Sequence, residues 1–244
     1  MRILGVIPAR YASTRFPGKP LIEIQGISMI QRVYEQALKS NKLNEVVVAT
    51  DDERILQHVK SFNGSAILTS DTHQSGTDRC AEVAQKLLGF DIIINIQGDE
   101  PFINPKQIDL LCSCFESADT KLATLIKKIT SQEELENINS PKVIINNNSE
   151  AIYFSRTPIP FIRNNQSQSL LESHTFYKHI GIYGYRIETL NAITKLPIST
   201  LEKAEALEQL RWIENGYRIK VAETEIETLA VDTPEDVNLS LIHI

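Results

Sequence analysis

The sequence has little cysteine, and the cysteines it has form no recognisable pattern. There are three in 244 residues, namely Cys80, Cys112 and Cys114. An odd number without framework spacing argues against a secreted disulfide scaffold and for a reducing compartment. Cys112 and Cys114 are too close for the usual zinc spacing and lie in an apolar helical pattern. We therefore predict that the thiols are buried and structural.

The chain also lacks an excess of basic charge and a long apolar run. Its formal net charge is −6, whereas non-specific nucleic-acid binding needs a basic face, so we predict no nucleic-acid partner. The first apolar run stops at Pro8, too early for a signal peptide. No window approaches the ~20 apolar residues of a transmembrane helix, so we predict no membrane insertion and a cytoplasmic protein.

Apolar runs alternate with amphipathic segments through the first half. The predicted strands are 3–7, 45–49, 65–68 and 91–96, and the predicted helices are 28–39, 52–62 and 77–88. Strands that are apolar throughout, separated by such helices, are typical of a parallel sheet covered on both faces. The fold class predicted is α/β, with a doubly wound, mostly parallel sheet.

The pattern changes near residue 120. Short strands are predicted at 122–129, 142–145, 151–155 and 179–185, with a polar loop at 163–173, and then a helix at 201–216, a strand at 218–223 and a final helix after Asp232. We interpret 120–186 as an antiparallel elaboration within one domain spanning residues 1–244.

The first loop is basic in an otherwise acidic chain. The first 22 residues contain four cations and no carboxylate, and Arg10, Arg15 and Lys19 follow the first strand. Cations among small residues such as Ser13 and Gly18 suit a phosphate group, although a solvated basic loop explains them equally well. Neither a Walker loop nor a Rossmann glycine motif is present.

Two carboxylates follow apolar runs. Asp99 comes directly after a strand, where α/β sheets present their ligands, and Asp232 follows a second apolar run. Both suit Mg²⁺, which takes one or two carboxylates together with phosphate oxygens. The alternatives are a turn capped by Asp99 and a helix capped by Asp232.

Seven motifs in the same order resemble the sugar-activating cytidylyltransferases, and in combination the 3-deoxy-manno-octulosonate (Kdo) cytidylyltransferase family. They are Pro8–Pro20, Gln74–Arg79, Gln97–Pro101, Tyr153–Arg156, His179–Tyr185, Leu207–Arg211 and Val231–Asp236. The resemblance runs from residue 3 to about residue 240. It implies a nucleotide-diphospho-sugar transferase-like fold and transfer of CMP from CTP to the anomeric hydroxyl of Kdo, with release of pyrophosphate, for lipopolysaccharide biosynthesis.

The resemblance also implies roles for individual residues. Arg10, Arg15, Lys19 and Asp99 would be catalytic, and Asp99 and Asp232 would hold Mg²⁺. The nucleotide would contact Ala9, Arg10, Ser13, Arg15, Lys19, Gln74, Ser75, Gly76, Arg79 and Gln97. The sugar would contact Arg156, His179, Tyr185, Glu208 and Gln209. A homodimer formed through 120–186 is expected as well.

Other functions remain open at this point. A sibling transferase would use another acidic sugar or another nucleotide. A non-catalytic nucleotide-binding module on the same fold would have little need for both candidate metal carboxylates. A structural or interaction protein would make the basic loop and the strand-end carboxylates coincidental.

Overall fold

The computed structural model of the chain describes residues 1–12, 16–163, 169–227, 230–231 and 236. The chain divides into two units. The first consists of Met1–Cys112, Gly184–Thr194 and Glu227–Ile244, and the second of Ser113–Tyr183 and Lys195–Ile226. The expectation of one domain over 1–244 stays a prediction.

The first unit is built on parallel strands in the order β6-β1-β4-β5. Their bounds are β1 Ile3–Ala9, β4 Glu45–Thr50, β5 Ala66–Leu68 and β6 Ile92–Asn95. β1 and β6 are almost wholly buried. Strands buried on both faces give continuous apolar runs rather than alternation, which is why the sequence pattern identified them.

Helices and a short hairpin, β2 Glu23–Ile24 with β3 Ile27–Ser28, complete the first unit. The side chains of Ser28, Asp52 and Ser75 each accept a backbone N–H at a helix N-terminus, which satisfies donors that the helix leaves unpaired. The helices are α1 Met29–Ala37, α2 Glu53–Ser61, α3 Gly76–Lys86, α4 Pro105–Ser113 and α7 Ile187–Ile193.

The second unit contains the antiparallel portion. β8 runs antiparallel to β9 and to β10, whereas β11 lies parallel to β7. The strand bounds are β7 Leu122–Lys128, β8 Lys142–Ile145, β9 Ala151–Ser155, β10 Tyr177–Arg186 and β11 Lys220–Glu223; the last three residues of β10 belong to the first unit. The helices are α5 Gln132–Glu136, α6 Leu170–Ser173, α8 Thr200–Glu205 and α9 Gln209–Glu214.

The structure corrects three sequence expectations. The predicted helix 201–216 is wrong, because Ala206 adopts a left-handed conformation (φ 50°, ψ 48°) that divides it into α8 and α9. Residues 170–173 of the predicted loop form α6. Cys80 and Cys112 are buried as predicted, but Cys114 is only partly buried. Residues 164–168 and the predicted C-terminal helix after Asp232 lie outside the described residues, apart from Asp236.

The predicted fold class is confirmed, because a mostly parallel sheet with flanking helices is joined by an antiparallel portion in the second half of the chain. Among the helices that the structure describes, none is long and apolar enough to cross a membrane.

Candidate active site

Four strands of the first unit end at the same edge of the sheet. Since β1, β4, β5 and β6 are parallel, the residues after their last positions share that edge. These residues are Arg10 after β1, Asp51 after β4 and Thr69 after β5, and Gln97 follows β6 by two residues. The edge formed by carboxyl ends is where open α/β sheets bind ligands.

The ends of β1 and β6 approach each other closely at Gly98. A Cβ atom at this position would lie 2.7 Å from the carbonyl oxygen of Pro8, which is closer than a side chain can come to backbone. Glycine is therefore required for this approach, and it places the following residue, Asp99, beside the loop that leaves β1.

Lys19 and Asp99 form an ion pair at this edge. Lys19 Nζ lies 2.8 Å from Asp99 Oδ2, and both side chains are mostly buried. The loop that carries Lys19 is closed by a hydrogen bond from the Gly18 amide to the Tyr11 carbonyl, with Gly18 in the left-handed region at φ 71°. The predicted phosphate-binding lysine and the predicted metal ligand thus lie together.

Arg10 remains exposed at the end of β1 and forms no ion pair with a described residue. Ala9, the last residue of the strand, is buried. Ser13 and Arg15 lie outside the described residues, as does Asp232. Val231, which precedes Asp232 in the sequence, donates its backbone N–H to the Asp99 carbonyl at 2.9 Å.

The N-terminus of α3 lies near the same strands. A Cβ atom on Gly76, the first helical residue, would lie 3.4 Å from Pro8 Cγ. Ser75 and Asp78 form a reciprocal capping box, so the Ser75 hydroxyl is used by the helix itself. Gln74 is exposed, and its amide donates to the Thr72 carbonyl at 3.0 Å.

Arg79 is 1% exposed and joins two strand ends to α3. Its guanidinium donates to Asp51 Oδ2 at 2.9 Å and also to the Thr69 hydroxyl. The family resemblance implies that Arg79 contacts the nucleotide; the structure places its side chain on these two protein partners. A buried Arg–Asp pair with further hydrogen bonds fixes the spacing of the elements that carry it.

The loop between β5 and α3 is held by Glu82. Burial opposes ionisation of this carboxyl, but hydrogen bonds from the Lys86 ammonium, the Ser70 amide and the His73 ring outweigh it, and the pKa of Glu82 falls to about 2. Lys86 lies 2.6 Å away, and the Ser70 amide donates at 2.9 Å. The loop that leads to Gln74 is therefore attached to α3 by one ionised carboxylate.

In the second unit, His179 lies within a group of aromatic rings. Its ring centroid is 5.3 Å from that of Phe154 and 5.1 Å from that of Tyr183, which in turn contacts Trp212 at 5.1 Å. Burial lowers the pKa of His179 to about 3, so the ring is neutral near pH 7 although part of its surface stays accessible. His179 Nε2 lies 2.9 Å from the hydroxyl of Thr124.

Arg156 binds backbone carbonyl groups. Its Nε donates to the Glu205 carbonyl at 2.7 Å, and its terminal nitrogens donate to the carbonyls of Ile138 and Ala206. The Glu205 carboxylate accepts a hydrogen bond from the Ser155 hydroxyl at 2.7 Å. A guanidinium has five N–H donors, so two remain after these three contacts. Arg156 therefore fixes the turn before Glu208 and retains donors on the same group.

Gln209 is the first residue of α9 and is 5% exposed. Its side-chain nitrogen is buried, and no described residue accepts a hydrogen bond from it. Gln209 and Trp212 are three residues apart on α9, and Trp212 contacts Tyr183, which in turn contacts His179. Glu208 is partly exposed at the start of α9. Tyr185 is fully buried and belongs to the first unit.

Sequence reasoning missed the residues that hold these side chains in place. Asp51, Thr69, Thr124 and Glu205 were not singled out. Asp51 directly follows an apolar strand, the same signal that identified Asp99. Nothing in the sequence marks Thr124, because its partner His179 is 55 residues away.

Known proteins resemble the chain over almost its whole length. The cytidylyltransferase family profile matches residues 4–221. The 3-deoxy-manno-octulosonate cytidylyltransferase of Parabacteroides distasonis is 57% identical over 99% of this chain and 97% of its own. The protein of the same name from Bacteroides thetaiotaomicron is 56% identical over 97% and 95%.

A solved structure gives the same result. CMP:2-keto-3-deoxy-manno-octonic acid synthetase complexed with CTP is 43% identical, has a TM-score of 0.92, and covers 100% of this chain and 98% of its own. The sequence matches and this structural match agree, and the resemblance stated from the motifs is confirmed. The chain belongs to the 3-deoxy-manno-octulosonate cytidylyltransferase family of cytidylyltransferases.

Proposed function

We propose that this protein transfers CMP from CTP to the anomeric hydroxyl of Kdo, giving CMP-Kdo and pyrophosphate for lipopolysaccharide biosynthesis. The observation that carries the proposal is the pairing of Lys19 with Asp99 at the carboxyl edge of the parallel strands, in a chain of this family. A cation for phosphate and a carboxylate for a metal are both needed there, and each was predicted independently.

The first unit would bind CTP. Arg10 is exposed and has no carboxylate partner among the described residues, which suits a group that meets triphosphate. Lys19 adds a compact positive charge, and Ser13 and Arg15 are proposed to complete the triphosphate-binding site. Ala9, Gln74, Ser75, Gly76 and Gln97 would approach the nucleotide. Arg79 would hold α3, whose N-terminus carries Gln74, Ser75 and Gly76, against the ends of β4 and β5.

Mg²⁺ fits the donors present. Asp99 offers a carboxylate of which Oδ1 makes no hydrogen bond with the described residues, and hard oxygen donors are what Mg²⁺ prefers. The Val231 amide bound to the Asp99 carbonyl supports Asp232 as the second ligand. The ion would neutralise phosphate charge, and Lys19 would then move from Asp99 to phosphate.

The second unit would bind the sugar. The buried Gln209 amide without an acceptor is a costly arrangement unless a ligand supplies one. His179 offers a neutral ring, Glu208 a carboxylate for hydroxyl groups, and Arg156 spare donors for the Kdo carboxylate. Tyr185, whose side chain is fully buried in the first unit, is proposed as a sugar-binding residue on the family resemblance alone.

In the proposed reaction, the anomeric hydroxyl oxygen attacks the α-phosphorus and releases its proton to solvent. The bond from the α-phosphorus to the bridging oxygen breaks, and its electron pair leaves with pyrophosphate. Arg10, Arg15 and Lys19 would stabilise the negative charge that develops on the phosphate oxygens. Positioning and electrostatic stabilisation would therefore supply most of the rate enhancement. No covalent enzyme intermediate is required.

The test is incubation of the purified protein with CTP, Mg²⁺ and Kdo, omitting each in turn, with detection of product mass and pyrophosphate. CMP-Kdo is expected only when all three are present. A panel of other acidic sugars and other nucleoside triphosphates separates this function from that of a sibling transferase. If no pyrophosphate forms with any combination of sugar and nucleoside triphosphate, the result would contradict catalysis and favour a nucleotide-binding module.

We also propose a cytoplasmic homodimer formed largely by residues 120–186. In the described part of this segment, three large apolar side chains are exposed, namely Ile138, Ile152 and Phe161, the last at 89%. Exposed large apolar side chains are candidates for burial between subunits. Sedimentation equilibrium at micromolar concentration would reveal the dimer.

A further inference from the structure

We infer that Thr124 holds His179 in the tautomer that carries its proton on Nε2, so that Nδ1 accepts a hydrogen bond from a hydroxyl group of the sugar. Thr124 is thus a positioning residue for substrate recognition. The sugar-binding half of this inference rests on the proposed function, whereas the tautomer does not.

The Thr124 hydroxyl contacts three groups within the second unit. Its oxygen lies 2.7 Å from the Ile182 carbonyl, 3.1 Å from the Ile180 carbonyl and 2.9 Å from His179 Nε2. Carbonyl oxygens only accept hydrogen bonds, and a hydroxyl has a single proton to donate. That proton is directed to a carbonyl, with Ile182 the nearer of the two. The contact with the imidazole is therefore a hydrogen bond only if Nε2–H donates to Thr124.

The opposite tautomer would be unfavourable in this arrangement. If Nε2 were unprotonated, the hydroxyl would donate to it, and its oxygen would face two carbonyl oxygens without a proton between them. Thr124 is fully buried, so no water shell would relieve that repulsion. The hydrogen bond made by one ring nitrogen sets the state of the other, and a neutral ring with Nε2–H leaves Nδ1 as an acceptor.

Nδ1 is available for a ligand. The His179 ring forms no hydrogen bond with the described residues other than the one to Thr124, and the residue is partly exposed, with Phe154 and Tyr183 against its ring. An acceptor at this place selects a partner that donates. A sugar hydroxyl donates, whereas a phosphate or carboxylate oxygen only accepts, so the site distinguishes the hydroxyl-bearing part of a substrate from its anionic groups.

The tautomer is tested by two-bond ¹H–¹⁵N correlation NMR of the full chain near pH 7, with the His179 signals assigned by loss in His179→Gln. We expect a pyrrole-type nitrogen at ε2 and a pyridine-type nitrogen at δ1. A pyrrole-type δ1 nitrogen would overturn the inference. Thr124→Val, which removes the hydroxyl with little change in volume, should yield a mixture or the other tautomer, and Thr124→Ser should retain the original one.

The role in recognition is tested by kinetics. Thr124→Val should raise KM for Kdo about tenfold, as expected for one hydrogen bond, with KM for CTP within twofold of wild type. Thr124→Ser should restore most of the affinity. Thr189→Val, at another buried threonine, in the first unit, controls for loss of a buried hydroxyl and should leave both constants unchanged. An altered tautomer with an unchanged KM for Kdo would overturn the recognition role.

Monodeoxy analogues of Kdo identify the hydroxyl group. The analogue that lacks it should lose affinity for wild type but show no further loss with Thr124→Val, because the two changes remove the same interaction. Additive losses with every analogue would contradict a contact through His179. If wild type forms no CMP-Kdo, the proposed function fails and the recognition role fails with it, while the NMR spectrum still decides the tautomer.

Discussion

Lys19 Nζ and Asp99 Oδ2 lie 2.8 Å apart, so the ammonium occupies one oxygen of the carboxylate proposed to bind Mg²⁺. The two side chains come from loops 80 residues apart in sequence. The ion pair holds this carboxylate in place, and a divalent ion bound to triphosphate would compete with the lysine for it.

Asp99→Asn is therefore expected to lower kcat by about 10²–10³, since charge stabilisation at the phosphate is lost. KM for CTP should change far less, because Arg10 and Lys19 still bind phosphate. Steady-state kinetics over a Mg²⁺ titration measures both constants, and EDTA should abolish turnover of wild type. The control is Asp91→Asn, at an exposed carboxylate of the same unit. Turnover of Asp99→Asn near the wild-type rate would exclude the metal role.

Arg10→Ala should weaken CTP binding, with the largest effect at low ionic strength. The side chain is exposed, so its attraction for triphosphate is screened by salt. Titration calorimetry at two salt concentrations measures the difference, and Arg186→Ala, at a residue of the same unit that follows no strand of the parallel edge, serves as a comparison. Equal CTP affinity in Arg10→Ala and wild type at low salt would exclude Arg10 from the triphosphate-binding site.

Arg79→Met should reduce the free energy of unfolding by about 3–5 kcal/mol, because it leaves the Asp51 carboxylate without its buried partner. Urea denaturation followed by circular dichroism measures the loss. The double variant with Asp51→Asn should recover part of it. Glu45→Gln provides a matched comparison, since the exposed Arg2–Glu45 pair has a similar nitrogen–oxygen distance of 2.8 Å and should contribute less than about 1 kcal/mol. If Arg79→Met and Glu45→Gln reduced the free energy of unfolding equally, the larger contribution expected of the buried ion pair would be contradicted.

Glu82 makes a pH-dependent contribution to stability. Its pKa in the folded protein is about 2, below the ordinary value of 4.5, so the unfolded chain binds a proton first as the pH falls. The stabilisation is complete above pH 4.5 and is lost between about 4.5 and 2, and by linkage it amounts to about 3 kcal/mol. The difference in unfolding free energy between wild type and Glu82→Gln should shrink over this window. Glu53→Gln, at an exposed helix position, is the control. Its unfolding free energy should differ from that of wild type by less than about 1 kcal/mol over the same pH range.

Phe161→Ser should raise the dissociation constant of the proposed dimer at least tenfold, because an apolar ring that becomes buried between subunits contributes about 2 kcal/mol or more. Sedimentation equilibrium measures the change. Ile198→Ser is the control, as Ile198 is also exposed but lies outside 120–186. A monomeric wild type at micromolar concentration, or equal effects of both substitutions, would contradict an interface in this segment.

Local patterns predicted most elements of the parallel part. The strand at Ile92–Asn95 was predicted within a few residues, because burial on both faces requires a continuous apolar run. The helix at Met29–Ala37 was predicted equally well, because its cap requires a residue such as Ser28 just before it. The helix predicted at 201–216 failed at Ala206. Its left-handed backbone is held by the Arg156 guanidinium on the Ala206 carbonyl, a contact across 50 residues that no local pattern records.

The sequence by itself determined the family, the α/β class and the chemistry of the first loop, since motif order, apolar periodicity and charge are properties of the linear chain. Only the tertiary structure decided which groups those residues meet. It placed Lys19 on Asp99 and Arg79 on Asp51, and it set the hydroxyl of Thr124 against His179 Nε2. Lys19 and Asp99 follow different strands, Arg79 lies on α3 whereas Asp51 follows β4, and Thr124 and His179 lie on neighbouring strands. Only the packing of helices and strands in the folded chain brings the members of each pair within hydrogen-bonding distance.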